Sequence, residues 1–288
     1  MNLGYACINM TLSSQKPKVT TNRSMIKRTF EEKGIDYAGE LGLQNSADLI
    51  KILKWNKENN VNVFRLSSEF FPWASEYKFE DLPQYLRIKT LLAGCGHYAQ
   101  RNGIRLTCHP GPFNVLTSPH EHVVQNTLTD LRIHGEIFDM MGLERTPYNK
   151  INIHCNGVYG DKQSAMDRFC KNFERLPNSV KQRLTVENDD KASMYSVKDL
   201  MYIHERIGIP IVFDYHHHKF CTGDLTEQEA LELAISTWPK DIKPIVHYSE
   251  SKALHEGDEK VKPQAHSDYI TKIPSTYGHD VDIMVEAK

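Results

Sequence analysis

No two of the six cysteines stand in a C-x-x-C pair; Cys7, Cys95, Cys108, Cys155, Cys170 and Cys221 are scattered along 288 residues. That spread favours reduced, mostly buried thiols, as in a cytoplasmic or, in a eukaryote, nuclear protein, over a disulfide framework. No run approaches the roughly 20 apolar residues needed to span a bilayer, so no membrane partner is expected. The N-terminal stretch MNLGYACINM is apolar for too short a length, and its charges follow the apolar part, so it does not read as a signal peptide. Net positive charge is also missing: the formal balance is −2. A nucleic-acid binder of this balance needs a local basic surface, helped by bound cations. Linkers, low-complexity tracts and sequence repeats are absent, so residues 1–288 are expected to form a single domain, and a monomer.

What is present is a regular alternation. Hydrophobic residues make up 40% and charged residues 25%, ordinary for a globular chain. Eight short runs rich in Val, Ile and Leu read as strands: 3–9, 62–68, 104–109, 150–155, 184–189, 210–215, 244–249 and 281–287. Between them lie amphipathic segments, at 46–59, 85–103, 119–141, 161–175, 196–207 and 226–237. Ser196 as N-cap and Gly208 as the closing residue bracket one of these. Strands alternating with helices imply βαβ units and a parallel sheet. Eight such units predict an α/β fold of the TIM (β/α)8 type, with an open doubly wound sheet as the alternative. Two irregularities stand out. Residues 10–44 read as a long connection after the first strand, and the last covering helix is truncated or lacking.

The strand ends carry the chemistry. Strand 3 ends at His109, strand 4 carries His154 and strand 5 carries Glu187. Strand 6 ends at Asp214, with His217 three residues on, inside FDYHHHKF. Strand 7 carries His247 and strand 8 Glu286; His266 can join from the loop after strand 7. In a βα barrel all C-terminal strand ends open onto one face. Any one of these residues alone reads as a hydrogen-bonded histidine, a helix cap or a solvated turn. Together they would crowd ionisable groups into one pocket, which is costly unless something compensates. Divalent cations compensate directly, and mixed imidazole and carboxylate ligation suits Mn²⁺, Zn²⁺ or Fe²⁺. The number of ligands exceeds what one ion uses, so two or three ions are expected. Such sites favour phosphodiester hydrolysis. A sugar isomerase or epimerase on the same barrel is the competing chemistry. His216 and His218 read as loop-packing or solvent-facing.

The ordered set LGYACIN, RLSSEFFPWAS (65–75), HPG (109–111), HCNGVYGDK (154–162), TVEND (185–189), FDYHHH (213–218), KPIVHYSE (243–250), AHSDYI (265–270) and DIMVEAK (282–288) is similar to the UV damage endonucleases over essentially the whole chain. That family in turn resembles barrel-type apurinic endonucleases. The resemblance implies a barrel holding up to three divalent ions, with Mn²⁺ favoured. It also implies incision of double-stranded DNA immediately 5′ to ultraviolet photoproducts. Carried over by position, it places metal ligands at His109, His154, Glu187, Asp214, His217, His247, His266 and Glu286, the same residues that the strand ends present. It implies substrate contacts at Tyr5 and Asn9, and at Pro112 and Phe113, which stand where family members often carry Gln–Tyr. Lys162, at a helix start, is a candidate phosphate contact or a solvated first-turn lysine. Glu76 stands where the family tends to have a histidine, and Ile245 where some members have a lysine.

The expected mechanism is attack of a metal-activated hydroxide on the phosphodiester, with Glu187, Asp214, His247 and Glu286 at its centre and Lys162 near the phosphate. Lys16, Lys18, Arg23, Lys27 and Arg28 in the first connection either contact phosphates or form a solvated loop. Rival readings are an apurinic-site endonuclease, the sugar isomerase, and a DNA-binding module that keeps metals for stability.

Overall fold

Residues 1–257 and 260–287 are described by the computed structural model. Lys288, the last residue of the DIMVEAK stretch, lies outside them. Eight strands form, each inside one of the expected runs: β1 (Leu3–Ala6), β2 (Val63–Leu66), β3 (Arg105–Cys108), β4 (Ile151–His154), β5 (Leu184–Glu187), β6 (Ile211–Val212), β7 (Ile245–Tyr248) and β8 (Asp282–Val285). They pair in parallel in the order β6-β5-β4-β3-β2-β1-β8-β7. A single parallel bridge between Asp214 and His247 joins the two ends of that order, and the His247 amide donates to Phe213 O at 2.9 Å. The sheet is therefore a nearly closed TIM barrel rather than an open, doubly wound one.

Ten helices, labelled here in chain order, lie between the strands among the described residues. The short α1 (Met10–Ser13) and the long α2 (Lys27–Glu58) follow β1, and α3 (Tyr85–Arg101) follows β2. Next come α4 (Glu121–Met140) after β3, then α5 (Lys162–Phe173) and α6 (Asn178–Lys181) after β4. The remainder are α7 (Val197–Ile207), α8 (Tyr215–His218), α9 (Glu227–Ser236) and α10 (Lys252–Glu256). Local chemistry sets the boundaries. Ser196 and Asp199 form a reciprocal capping box at the start of α7, and Gly208 ends it in the left-handed conformation at φ 69°. Thr226 and Glu229 do the same for α9. No helix follows β8 among the described residues.

One expectation is corrected. Most of the predicted connection 10–44 is helical, because α2 begins at Lys27 and runs 32 residues, kinked at Gly34. Its first half buries Ala38 and Leu41 together with Gly39 and Gly42. Glycine is a poor helix former, so packing rather than propensity holds this half. No helix of the described residues is long and apolar enough to cross a membrane.

Two apolar clusters divide the labour. The large one fills the space between sheet and helices, with Leu49, Ile52 and Leu53 of α2, Ile88 and Leu92 of α3, and Phe64, Leu106, Ile153 and Val186 from the strands. The small one joins Val63, Val212, Ile245 and Met284 from four strands with Trp238. Side chains alternate along a strand, so the residues two further on share its face: Arg65, Asp214, His247 and Glu286. The small cluster is thus an apolar layer inside the barrel, and those four residues form the layer above it, at the C-terminal mouth.

Candidate metal centre

Seven of the eight expected ligands meet at that mouth. They form three overlapping groups, His109–His154–Glu187, Glu187–Asp214–His217 and Asp214–His247–Glu286, in each of which one potential ligand atom per residue lies within 4.8 Å of the others. Glu187 belongs to two groups and Asp214 to two, so two carboxylates link three potential cation positions. Glu187 is 1% exposed and Asp214 fully buried. Around Glu187 stand four imidazoles: His247 Nδ1 at 3.0 Å, His109 Nε2 and His217 Nδ1 at 3.3 Å, and His154 Nε2 at 3.9 Å.

Each imidazole has a second partner that fixes its orientation. His109 Nδ1 is 3.1 Å from Pro110 O, His217 Nδ1 is 2.9 Å from Asn188 O, and His154 Nδ1 is 3.1 Å from Asp189 Oδ1. For these three rings the arrangement leaves Nε2 for a cation. His247 is turned the other way. Its Nδ1 faces Glu187 and, at 2.9 Å, Glu286, while Nε2 lies 2.8 Å from Lys150 Nζ. Burial pushes the Lys150 ammonium down to about 7. A neutral Lys150 amine accepts the Nε2 proton and frees the Nδ1 lone pair; an ammonium would instead donate to Nε2 and place the ring proton on Nδ1.

The protein's own charges perturb these groups strongly. Burial pushes His109 down to about 4. At His154 burial also opposes the charge, but Glu187 and Asp189 outweigh it and raise the ring to about 10. Asp214 is pushed up to about 6 by burial and by the neighbouring Glu187 and Glu286 charges, which outweigh His217. Burial opposes the charge on Glu187 and Glu286 too. His247 and His154 hold Glu187 well below the usual carboxylate range, and Arg65 and His247 do so for Glu286. Divergent shifts of this kind in one pocket mark functional sites.

The donor set fits divalent cations. Glu187 Oε1, Asp214 Oδ2 and His247 Nδ1 are buried and have no hydrogen-bond partner among the described residues. Buried polar atoms are ordinarily satisfied. Here nitrogen and oxygen atoms crowd together without hydrogen-bond alignment, as lone pairs aimed at a shared cation would. His266 stands beside the three groups, its ring 5.9 Å from that of His217 and its Nδ1 3.2 Å from Glu286 O. His216 and His218 are buried rather than solvent-facing: His216 packs against His266 and Phe220, His218 against Phe213.

The other candidates are placed elsewhere. Glu76 is exposed and outside the three groups; it lines a cleft of about 690 Å³ with Glu69, Asp130, Pro112 and Phe113. Phe113 is 87% exposed at the tip of the loop after β3. Tyr5 is not directed at the mouth. Gly4 and Ala6 take the barrel-facing positions of β1, so Tyr5 packs on Phe64 and its hydroxyl donates to Asn56 of α2 at 2.7 Å. Asn9 is tied to it, donating to the Tyr5 hydroxyl at 2.8 Å and accepting from Leu12 N as the cap of α1. Lys162 pairs with Asp199 at 3.0 Å, at the edge of a cleft that also holds Lys198 and Lys219. In the first connection, Arg23 pairs with Asp48, Lys27 with Glu31 and Arg28 with Glu32.

Several residues around the candidate ligands were not singled out by the sequence reading, although Arg65 and Asn188 stand in the stretches RLSSEFFPWAS and TVEND. Arg65 pairs with Glu286, Asn152 donates to Glu187, and Asn188 binds Asp214 twice, from Nδ2 to its carbonyl at 3.1 Å and through Oδ1 to its amide at 2.8 Å. The available signal was strand parity: Asn152 and Lys150 lie two and four residues before His154.

A nearly closed TIM barrel with linked imidazole and carboxylate groups at its C-terminal mouth is the architecture of a barrel enzyme whose mouth could hold divalent cations. Comparison gives the family. The UV-endonuclease UvdE family model matches residues 1–288, and the chain belongs to that family. A UV-damage endonuclease of Schizosaccharomyces pombe is 37% identical over 99% of this chain and 48% of its own length. The chain spans about half the length of that protein and of the Neurospora crassa relative. The crystal structure of SacUVDE superposes with a TM-score of 0.84 at 31% identity, covering 100% of this chain and 93% of that one. A D-psicose 3-epimerase from Clostridium cellulolyticum H10 shares the fold, with a TM-score of 0.57 at 11% identity over 100% of this chain and 85% of its own.

Proposed function

We propose that this chain is a metal-dependent endodeoxyribonuclease that nicks double-stranded DNA immediately 5′ to ultraviolet photoproducts. The observation that carries the reading is the sharing of Glu187 and Asp214 between three adjacent ligand groups. Family membership supports damaged DNA as the substrate. His109, His154 and Glu187 would hold one divalent ion, Glu187, Asp214 and His217 a second, and Asp214, His247 and Glu286 a third, with His266 alongside. The nitrogen and oxygen donors with no thiolate suit Mn²⁺, and also Zn²⁺ or Fe²⁺. Bound ions supply a lowered pKa for water and stabilisation of the attacking and leaving oxygens of the phosphodiester.

The chain's own residues supply the rest. Glu187 and Asp214 fix the spacing between positions. Asn152 holds the Glu187 carboxylate, Asn188 anchors the Asp214 backbone and Arg65 holds Glu286, so that little reorganisation remains when charge develops. Asp189, the Asn188 carbonyl and the Pro110 carbonyl set which ring nitrogen of each histidine faces inward. Phe113, exposed beside the mouth, is placed to stack on an unpaired base. The protein acts as a monomer in this reading, in the cytoplasm or, in a eukaryote, the nucleus.

A nicking assay on ultraviolet-irradiated plasmid, with Mn²⁺ or a chelator, tests the proposal. The wild type converts irradiated supercoils to open circles only with the metal. Glu187→Gln loses at least about 100-fold in rate, the scale expected when charge stabilisation is removed from such a site. Full activity of that variant, or cutting in chelator, would refute the reading. Faster cutting of an abasic-site duplex than of a dimer-containing one would reassign the substrate.

A further inference from the structure

The loop between β4 and α5 carries an aromatic residue that none of the roles above uses. Tyr159 lies five residues after His154, and 45% of its surface is exposed. Its backbone is left-handed at φ 51°, a conformation that is an outlier for a bulky side chain. Asn156 and Gly160 in the same loop are left-handed as well, at φ 58° and 80°. One side of the ring is already occupied. It lies so close to Gly157 that a Cβ there would sit 2.4 Å from the ring carbon Cε2, and the Arg168 guanidinium lies 5.7 Å from the ring centre. The His120 ring also stands roughly edge-on to it, with centroids 6.3 Å apart, so the tyrosine is held in a set position while nearly half of its surface stays exposed.

The loop is also tied to the one that carries Phe113. Asn156 Nδ2 donates to Asn114 O, and Thr117 Oγ1 donates to Cys155 O, each at 3.0 Å. At the base of the two loops the rings of His109 and His154 are 5.3 Å apart. Two exposed aromatic side chains thus project from linked loops, each four or five residues beyond a candidate ligand of the same group. Single exposed apolar residues are common on any surface. A left-handed, backbone-packed aromatic ring joined to the rim of a metal centre is a more specific arrangement, because strain of this kind collects at functional sites.

We propose that Tyr159 is a base-stacking residue, a fixed aromatic ledge that receives an unstacked nucleobase of the bound DNA beside the His109–His154–Glu187 position. This rests on the endonuclease reading and deepens it by naming where a displaced base is held. Base–aromatic stacking is worth roughly 5- to 100-fold in affinity per base. The ledge needs a flat π face and not the phenol hydroxyl.

The test uses the Mn²⁺-loaded protein and the variants Tyr159→Ala, Tyr159→Leu and Tyr159→Phe. The first readout is fluorescence of a duplex containing one unpaired 2-aminopurine, which stacking quenches and which requires no cutting. The wild type and Tyr159→Phe quench; Tyr159→Ala and Tyr159→Leu do not. The second readout is kcat/KM on a dimer-containing duplex. It falls roughly 5- to 100-fold for Ala and Leu and stays within about twofold for Phe, while undamaged duplex competes equally against all four proteins. Tyr159→Leu keeps an apolar cover over Gly157, so a fall in kcat/KM at unchanged melting temperature separates stacking from loop packing. The proposal is overturned if Leu behaves as wild type, if Phe behaves as Ala, or if every variant quenches. A wild type that quenches but cuts no damaged DNA refutes the endonuclease reading and leaves the stacking site standing. One that cuts without quenching does the reverse.

Discussion

The Arg65–Glu286 pair offers a direct measure of what the protein contributes to its own site. Both side chains are under 10% exposed, at 9% and 7%. Arg65 is the first force that holds Glu286 ionised against burial. Replacing it with methionine keeps volume and removes the charge. Glu286 is then left beside Glu187 and Asp214, with His247 as its nearest counter-charge. Breaking a buried pair from one side costs about 3–5 kcal/mol, because the remaining charge is uncompensated. At this chain length each kcal/mol corresponds to about 2 °C in melting temperature, so Arg65→Met should melt roughly 6–10 °C below wild type in chelator.

Two further measurements give that figure its meaning. If the proposed site binds Mn²⁺, the cation would compensate Glu286, and the gap between variant and wild type should close by at least half at saturating metal. The double variant Arg65→Met/Glu286→Gln removes both charges and should recover most of the loss, since neutral isosteres of buried pairs are often tolerated. Thermal unfolding of the four proteins, with and without Mn²⁺, forms the complete cycle. A single variant that loses under about 1 kcal/mol would refute the reasoning. So would additive losses in the double variant, or a gap unchanged by metal.

Asp48 provides the pH test. Burial alone would raise its pKa, but hydrogen bonds from Lys51, Arg23 and the Thr20 amide outweigh it and hold the carboxyl below its usual range. A depressed folded-state pKa contributes stability that is full above the unfolded value, about 4, and is lost as pH falls through the folded value. Asp48→Asn should therefore cost about 1–3 kcal/mol in urea unfolding at pH 7 and markedly less at pH 3; an equal penalty at both would show that charge is not the cause. Gly96 of α3 lies against the end of α4, where a Cβ would stand 1.8 Å from the Met141 carbonyl oxygen. Gly96→Ala should destabilise by about 1–3 kcal/mol or more through overpacking, read as a lower melting temperature with catalytic parameters unchanged below it; an unaltered melting temperature would contradict the packing.

Much of this could be read before any coordinates. The eight strands were visible because a parallel barrel buries them on both faces, so each is a continuous Val- and Ile-rich run. Helix α7 was visible through its caps, and α9 through its amphipathic pattern. The clustering of seven candidate ligands was visible because the fold gathers strand ends at one mouth. The failures share a cause of their own. The first half of α2 was hidden by glycines that serve packing and weaken the local helix signal. The local setting of Tyr5 was hidden because the resemblance gives positions and not parity: Gly4 and Ala6 face the barrel, and the residue between them packs on Phe64. Lys150 and Asn152 belong to no quoted motif and Arg65 only opens one, and the contacts of all three depend on which strands become neighbours across the barrel. A buried charge in a strand is legible only once its counter-charge is placed, and Glu286 lies 221 positions from Arg65.

The division between the two apolar clusters explains how such a site is tolerated. The large cluster lies outside the strands, between sheet and helices, and includes most of the buried apolar side chains. The small one is a single layer inside, made of Val63, Val212, Ile245, Met284 and Trp238. Below it, Arg105 reaches from β3 to Asp282 of β8 and to the Lys243 carbonyl. Above it stand Arg65, Asp214, His247 and Glu286, each two residues along its strand from a member of that layer. The barrel interior is thus charged at both ends with one apolar layer between them. Stability that depends on burial resides mainly in the outer shell, so the inner mouth can carry crowded, mutually repelling groups without unfolding the protein. Ile245 fits the same logic: it completes the apolar layer directly beneath His247, and the amine near that ring comes instead from Lys150 on β4's leading edge.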